Sequence, residues 1–205
     1  LSACERAERS LPAMQVGQIG LGAAGLAIAR SVMAYTGRTV LGADRDPSAL
    51  RRLESVGGVA AEGVEEILAR CDVVIATTGQ ANLIRPEWIR DGQFIFALSN
   101  PRPEIDAAQA LEAGAAVAAS GRRVNNLMVY PGVCRGLLDV RARAAPLEVF
   151  QAASEALVAV TPSDALLPDA LDRAVHRRVS RAVARAAIAA GVARREPDPD
   201  YYDEG

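Results

Sequence analysis

Gln15-Val16-Gly17-Gln18-Ile19-Gly20-Leu21-Gly22-Ala23-Ala24-Gly25-Leu26-Ala27-Ile28-Ala29-Arg30 is the stretch on which the fold turns. A short apolar run over residues 16–21 breaks into Gly20-x-Gly22-x-x-Gly25. It then becomes compatible with a helix that meets no breaker before Tyr35-Thr36-Gly37. A second apolar run, Thr39-Val40-Leu41-Gly42-Ala43, ends in Asp44. That carboxylate lies about 20 residues past the glycines, where a dinucleotide-binding βαβ unit carries the acid that holds the adenosine ribose hydroxyls. Gly20 permits the tight turn off the strand, Gly22 lets the backbone approach a pyrophosphate, and Gly25 allows the helix to pack close to the sheet. Ala23 and Ala24 open that helix, whose unpaired N–H groups and positive dipole end suit the phosphates. In an Ala/Gly-rich chain the spacing alone also fits a plain small-residue turn. Strand before, helix after and an acid on schedule favour the dinucleotide.

At 205 residues, half of them apolar, the chain suits one large domain or one domain with a helical appendage. Its 23 basic residues stand against 25 acidic ones, with no basic block and no interleaved aromatics, which argues against nucleic acid. Every basic residue is arginine, so no mechanism here draws on a lysine of this chain. Cys4, Cys71 and Cys134 lack metal-ligand spacing and read as reduced thiols of a cytoplasmic protein, Cys71 in the core. Residues 10–29 carry no charge, but Pro12, Gln15, Gln18 and four glycines fit strand-turn-helix better than a membrane span. No secretory signal is visible.

Taken in order, residues 2–9 read as the last turns of a helix leading into the first strand. Asp46 followed by Pro47 starts a helix that ends at Val56-Gly57-Gly58. A short helix over 64–69 precedes Cys71-Asp72-Val73-Val74-Ile75-Ala76-Thr77-Thr78-Gly79, a buried parallel strand and its terminal loop. Ligands sit outside the carboxyl ends of such strands, which turns Thr77, Thr78 and Gly79 toward the cofactor; an ordinary strand-ending turn is the alternative. Another short helix spans 86–90, strands follow at 94–98 and 115–119, and a helix at 107–113 separates them. This alternation predicts an α/β fold, a doubly wound, mostly parallel sheet of Rossmann type. Residues 121–145 lapse into a loop-rich segment. Amphipathic helices over 147–160 and 170–190 close the domain, His176 lying on a charged, solvated face, and an acidic, disordered tail covers 194–205.

Phe96-Ala97-Leu98-Ser99-Asn100-Pro101-Arg102-Pro103-Glu104-Ile105, then Val124-Asn125-Asn126, then Tyr130-Pro131-Gly132-Val133-Cys134-Arg135-Gly136-Leu137-Leu138-Asp139, resemble a malic enzyme. The match is to its NAD(P)-binding domain and covers nearly the whole chain: 1–14 as lead-in helix, 15–120 as Rossmann core, 121–145 as substrate-facing segment and 146–193 as closing helices. The resemblance implies oxidative decarboxylation of L-malate to pyruvate, with hydride passed to a nicotinamide and Mg²⁺ or Mn²⁺ polarising the C2 oxygen. It implies that Asn100 lies by the nicotinamide and malate, that Asn126 binds a malate carboxylate, and that the protein is a homo-oligomer. Carboxamides are sensible there, since they donate to a carboxylate without adding charge; loop asparagines bonding their own backbone are the plain alternative. Asp44 favours NAD over NADP, although Arg45 beside it could accommodate a 2′-phosphate. The sequence departs from the family in two ways. Only Arg123 and Val124 separate Gly121-Arg122 from the asparagine pair, and the family's general-base lysine, tyrosine and metal-binding acids have no match. The expectation is therefore the cofactor half of a malic enzyme, a fragment or separate domain, with no catalytic and no metal-ligating residue of its own. The competing readings are the NAD-binding domain of another two-domain dehydrogenase, such as one acting on amino acids, and a stand-alone NAD-binding module.

Overall fold

The computed structural model describes residues 1–122, 124 and 128–202. Two compact units divide them: Ala7–Val124, and Leu1–Arg6 together with the residues from 125 onward. The first unit carries six strands, β1 (Val16–Ile19), β2 (Leu41–Ala43), β3 (Val59–Ala60), β4 (Val73–Ala76), β5 (Phe94–Ala97) and β6 (Val117–Ser120). All their pairings are parallel, in the order β3-β2-β1-β4-β5-β6. The expected Rossmann-type sheet is therefore present, with order reversing between β1 and β4. β3 went unforeseen because two residues are too few to show a period.

Numbering the helices in chain order, α1 is Ser2–Arg6, α2 Ala23–Thr36, α3 Pro47–Ser55, α4 Val64–Arg70 and α5 Ala107–Glu112. Parallel strands need crossovers, and α2 to α5 lie within those connections. Local chemistry fixes the helix ends. The Asp46 carboxylate accepts the Ser48 N–H and Pro47 takes the first turn of α3, as the sequence predicts. Gly37 ends α2 at φ 67°, its N–H on the Met33 carbonyl. At the end of α4, the buried Gln93 amide donates to the Leu68 and Cys71 carbonyls at 2.7 Å each, and Arg90 donates to the same two. The core of this unit includes Ile19, Leu68, Cys71, Val74, Ile95 and Ile105. Burial there pushes the Cys71 thiol up to about 12, so it stays protonated.

The second unit is helical: α6 (Tyr130–Asp139), α7 (Leu147–Ala159) and α8 (Arg173–Ala189), with α8 packed against both others. α6 corrects the expectation of a loop-rich stretch over 121–145. Pro131, Gly132 and Gly136 read as breakers in sequence, but Pro131 occupies the first turn, where its missing N–H costs nothing. A β-carbon on Gly132 would fall 2.7 Å from Val179, and one on Gly136 would fall 2.4 Å from the Ser180 carbonyl oxygen. These glycines therefore mark the seam with α8. His176 is half-buried rather than solvated, its Nε2 2.7 Å from the Ala170 carbonyl oxygen that the turn before α8 lays against it. Residues 199–202, expected within a disordered tail, form a turn of 3-10 helix. Tyr201 and Tyr202 pack on the unit's core, with the Arg185 guanidinium 4.6 Å from the Tyr202 ring centroid.

Candidate functional site

A cleft of about 470 Å³ opens where β1, β2 and β4 end. That is the topological switch point, the one place where successive crossovers leave opposite faces of the sheet and part. Gly20 turns the chain off β1 at φ 84°, and a β-carbon there would meet the Thr77 carbonyl oxygen at 2.8 Å. Gly25 sits so close that its β-carbon would fall 1.8 Å from the Gly20 carbonyl oxygen, so only glycine brings α2 this near the loop. Gly22 caps α2 with no side chain across the helix end, and the first turn of α2 contains no acid. The orphan N–H groups and positive end of a 14-residue helix are thereby left open to an anion.

Asp44 binds the loop to the end of β2. Its Oδ2 accepts the Leu21 N–H at 2.6 Å and its Oδ1 the Asp46 N–H at 2.9 Å. Each oxygen keeps a further lone pair, and the carboxylate lines the cleft beside Arg45 and Glu62. Behind the loop, the fully buried Gln18 amide donates to the Ile19 and Gly20 carbonyls and to Thr77 Oγ1, at 3.1, 3.0 and 2.9 Å.

On the other flank stands Glu104, with no exposed surface. Its Oε1 accepts from the Thr78 N–H, the Thr78 hydroxyl and the Ser99 hydroxyl at 2.6, 2.8 and 2.5 Å, while Oε2 has the Ser99 N–H at 3.4 Å. The same hydroxyls accept in turn, Ser99 from the Gly79 N–H and Thr78 from the Gln80 N–H. Burial would push the Glu104 carboxyl upward, but the bonds from Ser99 and Thr78 outweigh it and hold it below its ordinary value. It is an ionised, water-excluded carboxylate.

Of the residues expected at the cofactor site, Gly20, Gly22, Asp44, Arg45, Thr77 and Thr78 line this cleft together. Ala23 and Ala24 lie exposed in the first turn of α2, Gly25 is buried behind it, and Gly79 belongs to the Ser99 network. Asn100 is not a lining residue; it follows β5 and its Nδ2 donates to the Gly121 carbonyl at 3.1 Å. Asn125 and Asn126 lie outside the described residues. Sequence reasoning missed Glu62, Gly63, Val64, Gln80 and Leu83 in the lining, and Gln18 and Glu104 behind it. Glu104 left no clear signal: it stands in the polar loop Asn100-Pro101-Arg102-Pro103-Glu104, most of which is exposed. Among the described residues no group of three His, Cys, Asp or Glu side chains could hold a metal ion, and no helix is long and apolar enough to cross a membrane.

Comparison with known proteins agrees with this geometry. The family model for the NAD binding domain of 6-phosphogluconate dehydrogenase matches residues 15–159. NAD-dependent malic enzyme 1 of Bacillus subtilis is 49% identical over 176 residues, which is 86% of this chain and 40% of that protein. Among solved structures, malic enzyme from Pyrococcus horikoshii superposes with a TM-score of 0.83 at 28% identity, over 98% of this chain and 54% of that one. NAD-dependent malic enzyme from Thermotoga maritima gives 0.78 at 29% identity, over 89% and 54%. The chain spans roughly half the length of the curated relatives it matches. The family-model match runs through α7, and the Pyrococcus horikoshii structure covers 98% of this chain. The chain belongs to the NAD-binding-domain family that this model describes, and it is an NAD-binding domain of the malic enzyme type.

Proposed function

We propose that the chain is the cofactor-binding part of an enzyme that oxidatively decarboxylates L-malate to pyruvate, with NAD in the cleft at the β1/β4 switch point. NAD, when bound, supplies the hydride acceptor. The observation that carries the reading is the joining of an open α2 N-terminus and the Asp44 carboxylate in one cleft. The α2 N–H groups neutralise the pyrophosphate, and the free lone pairs of Asp44 accept from the ribose hydroxyls. Asp44 and Glu62 set two carboxylates against the single guanidinium of Arg45, which disfavours the extra phosphate of NADP. Asn100 spends one amide proton on Gly121, leaving the other and its Oδ1 for nicotinamide and malate, while Asn126 binds a malate carboxylate. Mg²⁺ or Mn²⁺ and the general base come from a catalytic part outside this chain, because the described residues do not fit a metal site and no lysine exists. A homo-oligomer in the cytoplasm completes the proposal, the compartment supported by cysteines that form no disulfide among the described residues and by the bacterial relatives.

Calorimetric titration of the chain with each cofactor tests the cleft, and NAD binds more tightly than NADP. Equal or tighter NADP binding sinks the assignment of Asp44. The same protein with malate, NAD and Mn²⁺ forms no NADH, since proton abstraction needs a positioned base. Robust turnover would show that the chemistry resides here after all.

A further inference from the structure

Glu104 carries a full negative charge in a place where the cleft itself has no use for one. It has no exposed surface, and among the described residues no guanidinium forms an ion pair with it. Its hydrogen bonds run to Thr78, which lines the cleft, and to Ser99, so it stands directly behind the loops that follow β4 and β5. Asp44 and Glu62 hold the β2/β3 flank of the switch point, which assigns the adenosine half of a dinucleotide to that side. The nicotinamide half must then extend across the carboxyl ends of β4 and β5. Oxidised nicotinamide is a cation and reduced nicotinamide is neutral. Because water is excluded from Glu104, its field is little screened by salt.

Resting on the reading of the cleft as an NAD site, we propose that Glu104 is a specificity-determining residue for the oxidation state of the cofactor, favouring NAD⁺ over NADH through its buried charge. It touches neither reacting atoms nor substrate; it acts through the Thr78 and Ser99 loops and through space.

The geometry supplies a clean test. Three of the four bonds end on Oε1, and the fourth, to Oε2, is the longest at 3.4 Å. Glu104→Gln can therefore keep the three short bonds on its carbonyl oxygen while removing the charge. At a separation on the order of 10 Å and an effective permittivity of about 20, the lost attraction corresponds to roughly tenfold in affinity. The Kd values for NAD⁺ and NADH are measured by calorimetry on the full chain. Glu104→Gln weakens NAD⁺ by roughly tenfold and leaves NADH nearly unchanged. Glu104→Met, uncharged and of similar length, shows the same loss of discrimination should the glutamine fold poorly. Ser99→Ala leaves the Glu104 carboxyl and its two Thr78 bonds in place. It removes two hydrogen bonds, the one from the Ser99 hydroxyl to Glu104 and the one from the Gly79 N–H to that hydroxyl, so it shifts both Kd values alike and preserves their ratio. Equal shifts for both cofactors in Glu104→Gln, or a ratio altered as much by Ser99→Ala, would make Glu104 a loop tether only and overturn the inference. Failure of the wild-type chain to bind either cofactor would overturn the reading of the cleft as well, so the two failures are told apart.

Discussion

Asp44 does two jobs with one carboxylate. It ties the glycine loop to β2 through the Leu21 and Asp46 amides, and it presents the remaining lone pairs to the cleft. Asp44→Asn removes the charge and turns an amide toward one of those backbone donors. Hydrogen bonds to a charged group are worth about 1.5–3 kcal/mol, so NAD affinity should fall by roughly 10- to 150-fold. NADP should lose less, because a repulsive carboxylate goes with the attractive one; calorimetry on both cofactors decides, and unaltered NAD binding would remove Asp44 from the site. The residues that sequence could read are those fixed by local spacing: the strand before Gly20, the helix after Gly22 and the acid ending β2 bring each other to one point. Glu62 and Val64 were hidden because their place depends on β3, whose two residues show no pattern. Glu104 was hidden because its role depends on Thr78, which lies 26 residues away in the chain and meets it only once β4 and β5 pair.

Among the elements, α6 departs most from the sequence reading, and the same residues that obscured it explain its packing. A β-carbon on Gly136 would stand 2.4 Å from the Ser180 carbonyl oxygen and 2.7 Å from Val183, so α8 would have to move away. Gly136→Ala gains up to about 1 kcal/mol of helix propensity, yet overpacking costs about 1–3 kcal/mol, and this contact is with backbone that cannot rotate aside. A net loss of roughly 1–2 kcal/mol is expected, read as a lower urea midpoint. An unchanged or higher midpoint would mean that the two helices separate without cost. The elements that were readable, α2 and α3 above all, announce themselves by caps and by a continuous apolar stripe. An element whose length is set by close approach to another helix carries its signal in glycines, which in sequence also mean turns.

At the scale of the whole molecule, the α/β class was open to reading because buried parallel strands leave short, nearly continuous apolar runs between helical stretches. A domain with a helical appendage was one of the two organisations the length allowed, but which core each helix joins was not open to reading. The pairing of β1 with β4 has one more consequence, in the time domain. No hairpin exists among these parallel ladders, and Val16 must find Val73 across two intervening strands and three helices. Closing so long a loop costs entropy before any contact repays it, and folds dominated by such pairings assemble on the order of milliseconds to seconds. Helices form on the order of a microsecond. Refolding followed by stopped flow should therefore show far-ultraviolet ellipticity recovering first and NAD binding lagging behind it. Coincident phases would mean that the centre of the sheet forms as early as its helices.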